Sequence, residues 1–102
     1  MLPFEKAIGF DWDAGNLLKV WDTHKVRPSE CEEVFGNAPF GGTPTTKHKM
    51  AEERHIVYGK TNEGRLLSVV YTMRGDLIRV ISPRPMSQKE RKEYAEAIAS
   101  NP

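Results

Sequence analysis

The strongest alternation of apolar and polar positions lies between Arg65 and Tyr94, RLLSVVYTMRGDLIRVISPRPMSQKERKEY. Leu66, Leu67, Val69, Val70 and Tyr71 form one run rich in β-branched and aromatic residues. Leu77, Ile78, Val80 and Ile81 form a second. Arg74-Gly75-Asp76 between them predicts a tight turn, with Gly75 free to take positive φ. Pro83 and Pro85 are expected to end the second strand, since proline cannot donate to a ladder. Ser87-Gln88-Lys89-Glu90 has capping-box spacing and predicts a helix start. That helix carries a narrow apolar stripe of Tyr94, Ala95 and Ile98.

Upstream, residues 1–9 read as a short tail or edge extension. Phe10-Asp11-Trp12-Asp13 predicts a brief strand that delivers Asp13 as helix N-cap. The helix from Asn16 to His24 places Leu17, Val20, Trp21 and His24 on one face. A second helix is expected from Pro28 to Phe35. Its N-cap is open between Arg27, with Pro28 at the first helical position, and the spacing Ser29-Glu30-Cys31-Glu32. Gly36 to Thr46, rich in Gly, Pro, Asn and Thr, reads as a loop. Lys47, His48 and Lys49 add charge at its end. His55 to Lys60 reads as a strand, with a turn at Thr61-Asn62-Glu63-Gly64. The order β-α-α-β-β-β-α predicts an α+β fold: an antiparallel meander with the helices on one face and the other partly open.

Composition narrows the field. A chain of 102 residues fits one domain with one modest core. A net charge of +1 excludes a bulk polycation, so any nucleic-acid surface must come from segregated charge. Cys31 is the only cysteine, which rules out an internal disulfide and suits a cytoplasmic setting; it reads as a small core residue. No apolar run reaches membrane-spanning length, and MLPFEKAIGF lacks a signal-peptide layout. There is no Gly-rich phosphate loop, no zinc spacing among Cys31, His24, His48 and His55, and no nucleophile elbow. The expected chemistry therefore uses acids, bases and guanidiniums without a cofactor.

The arginines supply the candidate chemistry. Arg65 and Arg74 flank the first strand of the hairpin, Arg79 interrupts the second, and Arg84 lies at its end. Strict alternation assigns Leu77, Arg79 and Ile81 to one face and Ile78, Val80, Ser82 and Arg84 to the other. Twist and the proline break would have to bring Arg79 and Arg84 to one surface. Each arginine has a plainer explanation, a salt bridge to Asp76 or to a helix carboxylate. Several on one hairpin point to a polyanion, meaning phosphate.

FDWD near the start, the helix ending in a histidine, ECEEVF, EERHIVYGKTNEGRLLSVVYTMRGDLIRVISPR and ERKEY together resemble the BrnT family of type II toxins, over roughly Phe10 to Tyr94. Thr23-His24-Lys25-Val26 stands where the family pattern reads Lys-His-Gly-Val. The resemblance implies a RelE-like fold and an RNA-cleaving toxin. It also implies a BrnA-type antitoxin that neutralises the toxin and represses the shared operon as a complex, so any DNA contact is indirect.

Metal-independent RNA cleavage uses the substrate's 2′-hydroxyl as nucleophile, cations for the extra phosphoryl charge and an acid for the leaving 5′-oxygen. Arg79 and Arg84 are the candidates for phosphate clamping, and His24 for acid–base work, since an imidazole pKa of about 6.5 suits both roles. Tyr94 and Glu90 are candidates for proton transfer or for orienting an arginine. Arg54, Arg65, Arg74 and Arg91 are candidate RNA contacts. The expectation is that the guanidiniums meet in one pocket near the His24 imidazole. The competing readings are a non-catalytic module that binds RNA or an acidic partner, and a structural partner that oligomerises.

Overall fold

The computed structural model describes residues 3–45 and 53–100. After a 3-10 turn, Pro3–Lys6, the elements are β1 (Gly9–Phe10), α1 (Ala14–His24), α2 (Pro28–Gly36), β2 (Phe40–Thr45), β3 (Arg54–Lys60), β4 (Leu66–Arg74), β5 (Leu77–Pro85) and α3 (Gln88–Ser100). The α+β class and the meander hold. The strands form a five-stranded sheet in the order β1-β5-β4-β3-β2, in which β1 runs parallel to β5 and every other neighbouring pair is antiparallel.

Two departures from the expected pattern have physical causes. Residues 36–46 are not all loop, because Phe40–Thr45 pairs with β3 as an edge strand. Pro83 does not end β5, which runs on to Pro85 and stops there. Pro83 and Pro85 lie opposite Val69 and Leu67, beyond the Gly9–Phe10 pairing, where the strand is an edge and a missing N–H is tolerated. The N-terminal residues take the expected edge-extension alternative rather than the tail, since β1 is the outermost strand beside β5, and residues 3–10 also pack into the domain. Phe4 packs edge-on against Phe35 and Tyr71, with ring centroids at 5.4 and 6.1 Å, and each such aromatic pair adds about 0.5–1.5 kcal/mol beyond its buried area. Lys47, His48 and Lys49 lie outside the described residues.

Burial separates the two faces of the sheet. On the core face Val57, Leu67, Val69, Tyr71, Ile78 and Val80 meet Val20 of α1, Val26, and Cys31 and Val34 of α2. Burial pushes the Cys31 thiol up to about 12, so it stays a protonated packing group. α2 packs tightly over Gly59, where a Cβ would sit 2.8 Å from Val34 Cγ1. The outer face carries the alternate positions: Ile56 and Tyr58 of β3, then Ser68, Val70 and Thr72 of β4. The helices are therefore not all on one face. α1 and α2 cover the core face, whereas Glu90 at the start of α3 accepts a 3.0 Å bond from Ser68 Oγ on the outer face.

The helix signals work locally. Asp13 caps α1 by accepting from Gly15 N and Asn16 N. Pro28 is the first residue of α2, with Arg27 at the cap and the Glu30 carboxylate on its N–H at 2.9 Å. Ser87 and Glu90 exchange the two bonds of a capping box at the start of α3. The inward side of α1 differs from the expected face. Asn16 and Val20 are buried, while Leu17, Leu18 and Trp21 are 39%, 67% and 45% exposed. Asn16 fixes this rotation, since its amide donates to Asp11 O and Val80 O. Among the described residues no helix is long and apolar enough to cross a membrane.

Candidate functional site

An irregularity in β5 builds the site. Along the β4–β5 ladder, Thr72 faces Arg79 and Tyr71 faces Val80, but Val70 faces Ser82, so Ile81 is an extra residue in a β-bulge. Thr72, Val70 and Ser68 share the outer face by alternation. The residues opposite them, Arg79, Ser82 and Arg84, therefore share it too. Without the bulge, five residues of separation would put the two guanidiniums on opposite faces. The bulge does what twist and a proline break were expected to do. Arg79 and Arg84 oppose positions four residues apart on β4, so they stand about 13 Å apart along the strand.

Arg84 forms the tighter cluster. Its Nη1 and Nη2 donate to the two oxygens of Glu90 at 2.6 and 2.7 Å, and Nη1 also reaches Pro85 O. Glu90 accepts from Ser68 Oγ and Ser87 N as well. The Arg84 guanidinium, burial working against it, and the Ser87 and Ser68 donors bring the Glu90 carboxyl down to about 2. Tyr58 and Tyr94 stand beside it, both pushed up by burial, with the Arg84 charge pulling Tyr58 partly back. Phe40, Tyr58, Glu90, Glu93 and Tyr94 line a small cavity there.

Arg79 sits in a second cluster at the N-terminus of α1. It grips Asp13 with two bonds of 3.0 and 3.2 Å and lies 3.5 Å from Asp11. The Arg79 hydrogen bond holds the Asp13 carboxyl below the usual carboxylate range. Arg54, Arg74, Lys19 and Arg79 line a shallow open hollow of about 290 Å³. Both strand arginines thus have the plain helix-carboxylate pairing, but from one face of one sheet.

Arg65 and His24 lie elsewhere. Arg65 donates to His24 O at 3.0 Å, to Lys25 O at 3.1 Å and to Glu30, so it caps the end of α1 and ties it to the start of α2 on the core-face side. The exposed His24 is ten residues along α1 from Ala14, about 15 Å from the Arg79 end. Arg91 follows Glu90 on the exposed side of α3. The structure therefore gathers Arg84, Glu90 and Tyr94 in one place and Arg54, Arg74 and Arg79 in another, and sets His24 and Arg65 apart. Sequence reasoning missed Tyr58, Ser68, Asp13 as a partner of Arg79, and Phe40. Tyr58 had a usable signal, since alternation from Arg54 through Ile56 already puts it on the arginine face.

Fold and site together define a small α+β domain that presents carboxylate-oriented guanidiniums beside tyrosines, equipment suited to a phosphodiester chain. The family model described as ribonuclease toxin, BrnT, of type II toxin-antitoxin system matches residues 12–90, more than half of the sequence, and the chain belongs to this BrnT family. RNA as substrate class and a protein antitoxin as partner class come with that membership. No curated protein matches the chain.

Proposed function

We propose that the protein is a metal-independent endoribonuclease whose scissile phosphate sits at Arg84, and which arrests growth by cutting cytoplasmic RNA until a BrnA-type antitoxin neutralises it. The observation that carries this reading is the bulge at Ile81, which puts Arg79 and Arg84 on one face of the sheet. Two guanidiniums about 13 Å apart suit different phosphates of one strand rather than a joint clamp on one. Arg84 has Tyr58 and Tyr94 beside it, whereas Arg79 has other cations beside it. The Arg84 cluster therefore suits the reacting phosphate and the Arg79 hollow the flanking backbone.

In this mechanism the 2′-hydroxyl gives up its proton to solvent water, and the 2′-oxygen forms a bond to phosphorus as the P–O5′ bond breaks. Arg84 stabilises the charge that builds on the phosphoryl oxygens. Glu90, fully ionised at neutral pH, is a poor base and acts by holding the guanidinium plane in place. The Tyr58 hydroxyl keeps its proton at neutral pH and can donate it to the leaving oxygen. The tyrosinate left after proton donation to the 5′-oxygen is reprotonated from solvent. No step runs through His24, which stands on the other layer.

The test is cleavage of single-stranded and structured RNA in EDTA. Wild type is expected to cut, and Arg84→Ala to slow cutting by about 10²–10³-fold, the usual effect of removing one charge-stabilising donor. His24→Ala is expected to change the rate by less than about tenfold. Salt-sensitive binding without cutting would mean a non-catalytic module instead.

A further inference from the structure

Beside Arg84 the outer face of the sheet ends in an aromatic crevice. Phe40 and Tyr58 are register partners, so their rings share this face. Gly41 makes the close approach possible: its φ is +105°, and a Cβ there would lie 3.2 Å from the Tyr58 ring. Tyr94 of α3 closes over the pair, with Glu90 and Glu93 on the same wall, around a cavity of about 50 Å³. Past Phe40 and Tyr94 it widens into a groove of about 320 Å³ that also takes in Asn37, Lys60 and Ile98. Phe40 is 48% exposed although it is a large apolar ring at the rim.

We propose that this crevice is a nucleobase subsite that takes one unstacked guanine next to the phosphate held by Arg84. The proposal rests on the ribonuclease reading, because that phosphate fixes where the neighbouring base falls. Single-stranded RNA is recognised by splaying a base onto an aromatic face and reading its edge. Phe40 supplies the half-exposed ring. Glu93 supplies the edge reader: an ionised carboxylate only accepts hydrogen bonds. Guanine offers an N1–H and an N2 amine side by side, matching the two oxygens, whereas uracil offers a single N–H. The groove, at the lower end of the about 300–1,000 Å³ typical of small-ligand sites, has room for the ring system, and Glu93 lines the small cavity that adjoins it at Phe40 and Tyr94, where the base edge would reach. Arg84 keeps capacity for phosphate: a guanidinium has five N–H donors, and its bonds to Glu90 and Pro85 occupy three.

The experiment uses two short RNAs identical but for guanosine or inosine at the preferred cleavage position, found first by mapping cuts in a mixed-sequence RNA. Inosine lacks only the N2 amine. Wild type is expected to cut beside guanosine and to lose about tenfold or more on inosine, the scale of one lost base-edge contact. Glu93→Gln is expected to cut both RNAs at similar, reduced rates, and Phe40→Ala to raise KM for both. Cutting by wild type without base preference, or a guanosine preference that survives in both variants, overturns the subsite and leaves the nuclease standing. If wild type cuts neither RNA the nuclease reading fails, and the same RNA pair in an anisotropy binding assay decides the crevice: equal binding of both overturns it. Loss of antitoxin binding by Phe40→Ala with cleavage and preference intact would make the crevice a protein-docking site and also overturn the proposal.

Discussion

At the scale of single residues, the two strand arginines differ in how they are held. Glu90 is depressed from 4.5 to about 2 in the fold. A carboxylate with a lowered native pKa stabilises the folded state above its unfolded pKa, and that contribution is lost as pH falls through the native value. The acid limb attributable to Glu90 therefore lies between about pH 4.5 and 2. Arg84 is 40% exposed on its side chain, so solvent screening trims the contribution to on the order of 1–3 kcal/mol. Urea unfolding of Glu90→Gln at pH 7, 4.5 and 2.5 is expected to show a deficit at pH 7 that has shrunk to a small fraction by pH 2.5, where the pH approaches the native value. Asp13 serves twice, as helix cap and as the Arg79 partner. Asp13→Asn keeps a capping oxygen and loses the charge, so its thermal midpoint is expected to fall less than that of Asp13→Ala. Equal losses in the two variants would mean that the cap is irrelevant and the ion pair carries the effect.

At the scale of elements, the local signals and the long-range ones divide cleanly. Asp13, Pro28 and Ser87–Glu90 announce their helices because a cap is settled by residues within one turn. The Gly75 turn is legible for the same reason, and its φ is +63°. β2 was not legible. Phe40–Thr45 lacks the alternation of a half-buried strand and is ordered by the ladder it forms with β3. The bulge was hidden too, because it is set by how β5 pairs with β4, and β5 alone reads as an unbroken alternation. That one unseen residue decides whether Arg79 and Arg84 share a face. The packing of α2 on β3 offers a test at this scale. A Cβ on Gly59 would meet Val34 Cγ1 at 2.8 Å and Pro39 Cβ at 3.3 Å. Gly59→Ala is thus expected to destabilise by about 1–3 kcal/mol through overpacking, measured by urea unfolding. Combining it with Val34→Ala is expected to recover part of the loss relative to additivity.

At the scale of the whole molecule, the charge that matters is segregated, as a net charge of +1 requires of any polyanion binder. Arg54, Arg74, Arg79 and Lys19 gather around one hollow and Arg84 lies farther along the same face, while α1 leaves Leu17, Leu18 and Trp21 partly in water. RNA affinity is accordingly expected to fall steeply with salt, with log K linear in log salt. Arg74→Ala is expected to flatten that slope by about 0.7 in single-stranded RNA while sparing the cutting position. An unchanged slope would remove Arg74 from the backbone contacts.

Arg65 has a different bearing on how this protein is studied in cells. A genetic selection for survivors of its expression collects every lesion that silences it, whatever the cause. Because one guanidinium staples the last carbonyls of α1 to Glu30 of α2, codon changes at Arg65 are expected among those survivors for want of soluble product. Immunoblotting each isolate separates the two populations, and only colonies that still accumulate the full-length chain bear on catalysis.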